Sequence, residues 1–169
     1  QHYEEQQLQR SIAALKRRLF LRATVLTPNK REAELMTGMN IRDMDDMRHA
    51  ADMMRTLGAE TVVLKAGQAV SDKVLYLVAT ADEERIYERP MLKTPHTLGA
   101  GSTLASAIAI SLAQKMGVFP AVERALDFIH QAILHASDFG TEIGPVNHAF
   151  DIEKNSSLFS PENIKVHKA

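Results

Sequence analysis

Apolar residues recur at helical spacing near the start of the chain. Leu8, Ile12, Leu15 and Leu19 share one face, while Arg10, Lys16, Arg17 and Arg18 take other positions. Residues 6–20 are therefore expected to form a half-buried helix. Residues 23–27 read as a short strand closed by Pro28. Asn29 followed by Glu32 has the spacing of a capping box, which predicts a helix over 30–37 ended by Gly38. A third helix begins near Asp43, carries Met47, Ala50, Met54 and Leu57 on one face, and has Gly58 as its cap. The β-branched run 61–65 then suits a strand buried on both faces.

Strands before and after helical segments make a βαβ unit, whose crossover is nearly always right-handed, so the class is α/β. Residues 73–79 and 84–88 flank the polar Thr80-Ala81-Asp82-Glu83 and predict an antiparallel hairpin that extends the sheet. After Pro90 and Pro95, Gly99-Ala100-Gly101 opens a long apolar helix expected to end near Gly117. A last helix over 120–139 buries Val122, Leu126, Ile129, Ile133 and Ala136, and the tail beyond 151 reads as frayed. There is no repeat, low-complexity tract or linker, which points to one domain. Two parallel strands and a hairpin form a small sheet for this many helices and leave an edge to be covered. The sequence opens inside an amphipathic helix rather than at a methionine, so a further piece upstream is expected.

Composition narrows the function. A chain of 169 residues has a one-domain length and can bury roughly two-thirds of its unfolded surface. The net charge of -1, with both signs interspersed, offers no basic stripe for nucleic acid. With no cysteine, disulfides, thiolate metal sites and thiol redox chemistry are excluded, and a cytoplasmic location is expected. The apolar stretch 104–113 is interrupted by Ser106 and Ser111 and is far shorter than the ~20 residues of a membrane span. Glu4, Glu5 and the glutamines around them do not form a signal peptide.

The candidate chemistry lies at a few positions, each open to two readings. Gly99-Ala100-Gly101 precedes a helix, so its N–H groups can converge on an anion, or it can simply turn the chain into a buried helix. Lys65, followed by Ala66-Gly67, sits at the carboxyl end of a buried strand, where α/β sheets present side chains to ligands. It can neutralise phosphate there or emerge into water. Asn29 and Glu32 suit a helix cap or a Mg²⁺ and water site. No histidine pair has metal-ligand spacing, and no serine sits in a nucleophile elbow. Met44, Met47, Met53 and Met54 serve as core filler or as a homodimer contact.

In order, Thr27-Pro28-Asn29 with Glu32-Ala33-Glu34, Val63-Leu64-Lys65 with Gly67, Gly99-Ala100-Gly101 with Thr103-Leu104, and Gly144-Pro145-Val146-Asn147-His148 resemble the hydroxymethylpyrimidine and phosphomethylpyrimidine kinases of thiamine biosynthesis. The resemblance implies a ribokinase-like three-layer α/β/α fold, here with an incomplete sheet. Residues 1–150 would be the carboxyl-terminal, ATP-binding part of one kinase domain, and 151–169 a tail. It implies transfer of the γ-phosphoryl of ATP, with Mg²⁺, to the hydroxymethyl group of an aminopyrimidine or its monophosphate. Asn29 and Glu32 would organise the metal. Lys65, Gly67 and Thr103 would face the nucleotide phosphates, and Gly99, Ala100 and Gly101 would form the anion hole. Ser102 occupies the position of the base, a cysteine in this family. A serine hydroxyl is a poor base at neutral pH. Leu98 stands where the family has histidine, and Ala66 and Gln68 where it has glycine and histidine. The family is also longer at its amino end, where most of the pyrimidine pocket lies. The expectation is a kinase whose activity in this chain alone is weak or lost, with a nucleotide-binding, regulatory relative as the alternative.

Overall fold

The computed structural model describes residues 10–14, 18–68, 72–136 and 143–150. The chain divides into two compact units, Gln1–Met91 and Leu92–Ala169.

In the first unit, the helix expected over 6–20 is described at 10–14 (α1), with residues 6–9 and 15–17 outside the described residues. A 3-10 turn, Phe20–Arg22, follows and buries Phe20 completely. β1 (Val25–Leu26) is shorter than expected, because Ala23 and Thr24 meet the neighbouring strand only through their carbonyls, which accept from the Glu60 and Thr61 amides. α2 (Lys30–Thr37) has the predicted bounds, and its capping box is complete. Asn29 Oδ1 accepts the Glu32 amide and Glu32 Oε2 accepts the Asn29 amide, both at 2.9 Å. Gly38, at φ +76°, closes it in the left-handed region. α3 (Met44–Thr56) is capped by Asp43, whose side chain accepts the Asp46 amide.

β2 (Thr61–Gln68) pairs parallel with β1 and antiparallel with β3 (Lys73–Ala79), which pairs antiparallel with β4 (Glu84–Pro90). The parallel pair and the hairpin beyond it are the predicted arrangement, with β2 and β4 running further than 61–65 and 84–88. Thr61, Val62, Val63 and Leu64 are all buried, as a strand covered on both faces requires. Met47, Ala50, Ala51 and Met54 of α3 pack on Val62, Leu64, Leu77 and Ala79 and make the core of this unit. β4 is mostly exposed and carries Glu84, Arg85, Glu88 and Arg89, the charged surface expected of an edge strand. Arg48 of α3 reaches it by an ion pair to Glu84 at 2.7 Å.

The second unit holds α4 (Ala100–Ala113) and α5 (Val118–Leu134), packed on each other. α4 ends before the expected Gly117. Lys115 adopts φ +63°, its amide bonds to Leu112 O and that of Met116 to Ser111 O, so the chain turns out of the helix there. Gly117 instead caps the start of α5, which begins two residues earlier than expected, with Pro120 tolerated in its first turn. α5 is assigned to Leu134; 137–142 and the tail 151–169 lie outside the described residues. Ala132, Val146 and Phe150 form a small core with Phe128, whose ring lies 5.2 Å from that of Phe150.

Gly58 shows how tightly the first unit is assembled. It has φ +121°, and a Cβ there would lie 2.8 Å from Leu21 Cδ2 and 3.1 Å from Leu21 Cα. The side-chain atom can move, but the backbone atom cannot. Gly58→Ala is expected to lower unfolding free energy by about 3 kcal/mol, read as a lower denaturant midpoint with unchanged slope.

Candidate functional site

The candidate residues fall into two groups, one in each unit. In the first unit, parallel pairing continues past the end of β1. The Lys65 amide donates to Pro28 O at 3.0 Å, and Asn29 forms an isolated parallel bridge with Lys65. Asn29 and Lys65, 36 residues apart in sequence, are thus neighbours at the carboxyl end of two parallel strands. This is where open α/β sheets hold ligands. Immediately after Lys65 the pairing with β3 shifts register. Lys65 stands opposite Tyr76 and Gln68 opposite Val74, so β2 contains one extra residue in the Ala66-Gly67 stretch. A bulge of this kind re-aims the backbone at a strand end. Lys65 is half-buried and has Tyr76 as its cross-strand neighbour. Burial raises the phenol pKa of Tyr76, an effect partly offset by the cation of Arg89.

The capping box limits what Asn29 and Glu32 can do for a metal. Asn29 Oδ1 and Glu32 Oε2 are already acceptors for backbone amides. Glu32 Oε1 remains. Among the described residues no group of three histidine, aspartate or glutamate side chains is placed to hold an ion. One free carboxylate oxygen could at most contact a cation held mainly by other ligands.

The second group surrounds the start of α4. Gly99 has φ +87°, a conformation that disfavours any residue with a Cβ. It occupies the helix cap without a side-chain acceptor for the first-turn amides. The Ala100 amide bonds to Thr97 O and the Thr103 amide to Gly99 O, whereas among the described residues the Gly101 and Ser102 amides find no acceptor. A Cβ added at Gly101 would meet no atom within 4 Å. Gly101 and Ser102 are both exposed, so solvent or an anion can reach this first turn, and the positive end of the α4 dipole lies behind it. The donor set fits an anion such as a phosphate.

His148 and Thr103 border the same opening. The Thr103 hydroxyl donates to Gly99 O at 2.9 Å and lies 2.7 Å from His148 Nε2. The segment carrying His148 is tied beside the turn by Leu98. The Leu98 amide donates to Gly144 O at 3.1 Å and the Val146 amide to Leu98 O at 3.2 Å. Gly144 is needed there because a Cβ would come within 3.0 Å of the ring of the buried His96. A cleft of about 460 Å³ runs from Gly99, Ser102 and Thr103 along α4 to Ile110, and is walled on the other side by Phe128 and Arg124 of α5. Arg124 donates to Gln114 Oε1 at 2.7 Å.

Of the residues singled out in the sequence, Asn29, Glu32, Lys65 and Gly67 cluster in one unit, and Gly99, Ala100, Gly101, Ser102 and Thr103 in the other. The sequence reading missed Arg124 and Phe128. Arg124 stands on the polar face of an ordinary amphipathic helix, and no local spacing distinguishes it. It also left His148 as a motif residue without a partner.

The family described as phosphomethylpyrimidine kinase matches residues 4–147. A hydroxymethylpyrimidine/phosphomethylpyrimidine kinase of Synechococcus elongatus is 36% identical over 145 residues, 85% of this chain and 55% of that protein. Among solved structures, an ADP complex of Bacillus subtilis pyridoxal kinase is similar with a TM-score of 0.76 and 34% identity, covering 82% of this chain and 54% of that one. Pyridoxal kinase from Staphylococcus aureus in complex with pyridoxal has a TM-score of 0.79 at 30% identity, covering 85% and 53%. The chain spans about half the length of the relatives it matches. The α/β architecture with its βαβ crossover, the strand-end lysine and the glycine turn are all in place, and the chain belongs to the phosphomethylpyrimidine kinase family.

Proposed function

We propose that this chain is the nucleotide-handling part of a kinase that transfers the γ-phosphoryl of ATP to the hydroxymethyl group of an aminopyrimidine or its monophosphate, in thiamine biosynthesis. The observation that carries the reading is the pair of amides at Gly101 and Ser102, which have no acceptor among the described residues and belong to exposed residues at a helix start. Such donors stabilise the charge on a transferring phosphoryl group without reorganising during the reaction.

In this reading Gly99, Ala100 and Gly101 form the anion hole, and Thr103 holds its geometry beside the nucleotide. Lys65 supplies a cation to the phosphates, and Gly67 lets the backbone bend at the strand end. Asn29 and Glu32 organise Mg²⁺ through water. When bound, the metal supplies charge neutralisation between phosphate oxygens. In the same reading residues 1–150 are the carboxyl-terminal, ATP-binding part of a single kinase domain and 151–169 its tail. The ADP complex of the related pyridoxal kinase supports nucleotide binding as the shared property.

Ser102 favours a second reading, a relative that binds nucleotide without turning it over. Its hydroxyl accepts a hydrogen bond from the substrate alcohol but does not retain the proton at neutral pH, which removes a contribution of ~10²- to 10⁴-fold. Chimeras carrying the amino-terminal half of the Synechococcus relative separate the two readings. With Ser102→Asp or Ser102→Cys, phosphorylation of hydroxymethylpyrimidine should rise by about 10²-fold over the Ser102 chimera if the chain is a kinase lacking its base. ATP binding with no gain from either substitution would favour the regulatory reading.

Gly101→Ala tests the anion hole. The methyl group would enter open space on a helix, so stability should rise by about 0.5–1 kcal/mol in thermal or denaturant unfolding. The same methyl stands in the approach to the amides, and ATP affinity in a binding titration should fall by about tenfold or more. Unchanged affinity would place the phosphates elsewhere.

A further inference from the structure

The Thr103 hydroxyl has two neighbours and one proton. Its oxygen lies 2.9 Å from Gly99 O and 2.7 Å from His148 Nε2. The Gly99 carbonyl has no proton to give, so two oxygens at this separation attract only with the hydroxyl proton between them. Sending that proton to His148 would leave two lone-pair oxygens facing each other at a buried residue. Thr103 is 7% exposed. The proton therefore lies toward Gly99. The contact to His148 is then a hydrogen bond only if Nε2 carries its own hydrogen and donates it to Thr103.

We infer that His148 is held with its hydrogen on Nε2 and acts as a positioning residue for the glycine turn. Its N–H orients the Thr103 hydroxyl, and the hydroxyl fixes the Gly99 carbonyl, which also accepts the Thr103 amide. The direction of that carbonyl sets the plane of the following peptide, and with it the first turn that presents the Gly101 and Ser102 amides.

The placement of His148 does not come from burial, because the residue is exposed. It comes from the backbone on either side. The Val146 amide is bonded to Leu98 O, the Asn147 amide to Ala132 O at 2.9 Å, and the Ala149 amide to Asn147 Oδ1 at 2.9 Å. Asn147 Nδ2 adds a bond to His135 O at 3.2 Å. A segment 45 residues from Thr103 in sequence is thus fixed on both sides of the residue that reaches the turn. The effect of His148 on nucleotide affinity rests on the anion-hole reading above, whereas its tautomer and its hold on the turn do not.

Nitrogen-15 NMR of the histidine rings in the full chain, above the pH of imidazole titration, tests the tautomer. Nε2 of His148 should show the shift of a protonated ring nitrogen and Nδ1 that of an unprotonated one; hydrogen on Nδ1 overturns the inference. Amide exchange in ligand-free His148→Gln and His148→Leu tests the positioning. Glutamine keeps an N–H at similar reach, so exchange of the Thr103 amide should stay within about twofold of wild type, while leucine should accelerate it about fivefold to tenfold. Equal acceleration in both variants, or none in either, overturns the inference. In an ADP titration the leucine variant should lose affinity by a similar factor and the glutamine variant should retain it. If the unmodified chain binds no ADP, the phosphate reading fails, while the ring shifts and exchange rates still decide the role of His148.

Discussion

The second unit is organised around one backbone constraint, the left-handed conformation of Gly99. At φ +87° the chain reverses into α4 with no side chain at the cap. The first-turn amides are consequently not consumed by a capping oxygen, in contrast with α2 and α3, whose starts are closed by Asn29 and Asp43. A left-handed turn without a cap is held only by its surroundings. Here the Thr103 amide and hydroxyl both bond to the Gly99 carbonyl, and the bridge between Leu98 and Pro145 fixes the chain just before the turn. Donors left open at a helix start cost stability if buried, and they are useful where an anion can reach them.

The first unit solves a different problem, placing a cation at the end of a buried strand. Thr61 to Leu64 are covered on both faces, which fixes the register of β2 against β1 and β3. Because register is fixed, Lys65 comes out beside Asn29, and the bulge at Ala66-Gly67 shifts the pairing with β3 immediately afterwards. The capping box of α2 uses the same asparagine. Helix start and strand end therefore meet at one point, and the Thr-Pro-Asn sequence serves both.

Much of this was legible in the sequence because the signals are local. The capping box at Asn29 and Glu32, the Asp43 cap and the alternation from full burial in β2 to charge in β4 each depend on residues close together in the chain. The errors have physical causes of the same kind. Gly117 reads as a helix stop, yet α4 is ended by Lys115, a non-glycine residue in a left-handed conformation that no composition signal marks. β1 contracts to Val25–Leu26 because the Ala23 amide bonds back to Phe20 O, while the carbonyls of Ala23 and Thr24 accept from the Glu60 and Thr61 amides as β2 begins. The bond between Thr103 and His148 joins residues far apart in sequence, so no spacing rule predicts it. The two readings of the glycine run also could not be separated locally. The open amides at Gly101 and Ser102 depend on which acceptors the folded chain brings near them, and first-turn amides open to solvent suit either reading until a ligand is tested.

The central claim is that the start of α4 is a phosphate site. The most direct test is an amide NMR titration of the chain with ADP and Mg²⁺. The account predicts that the Gly101 and Ser102 amides move most and saturate together with a common affinity that weakens as salt is raised. Saturable binding with these two amides unmoved, and the largest changes elsewhere, would contradict it.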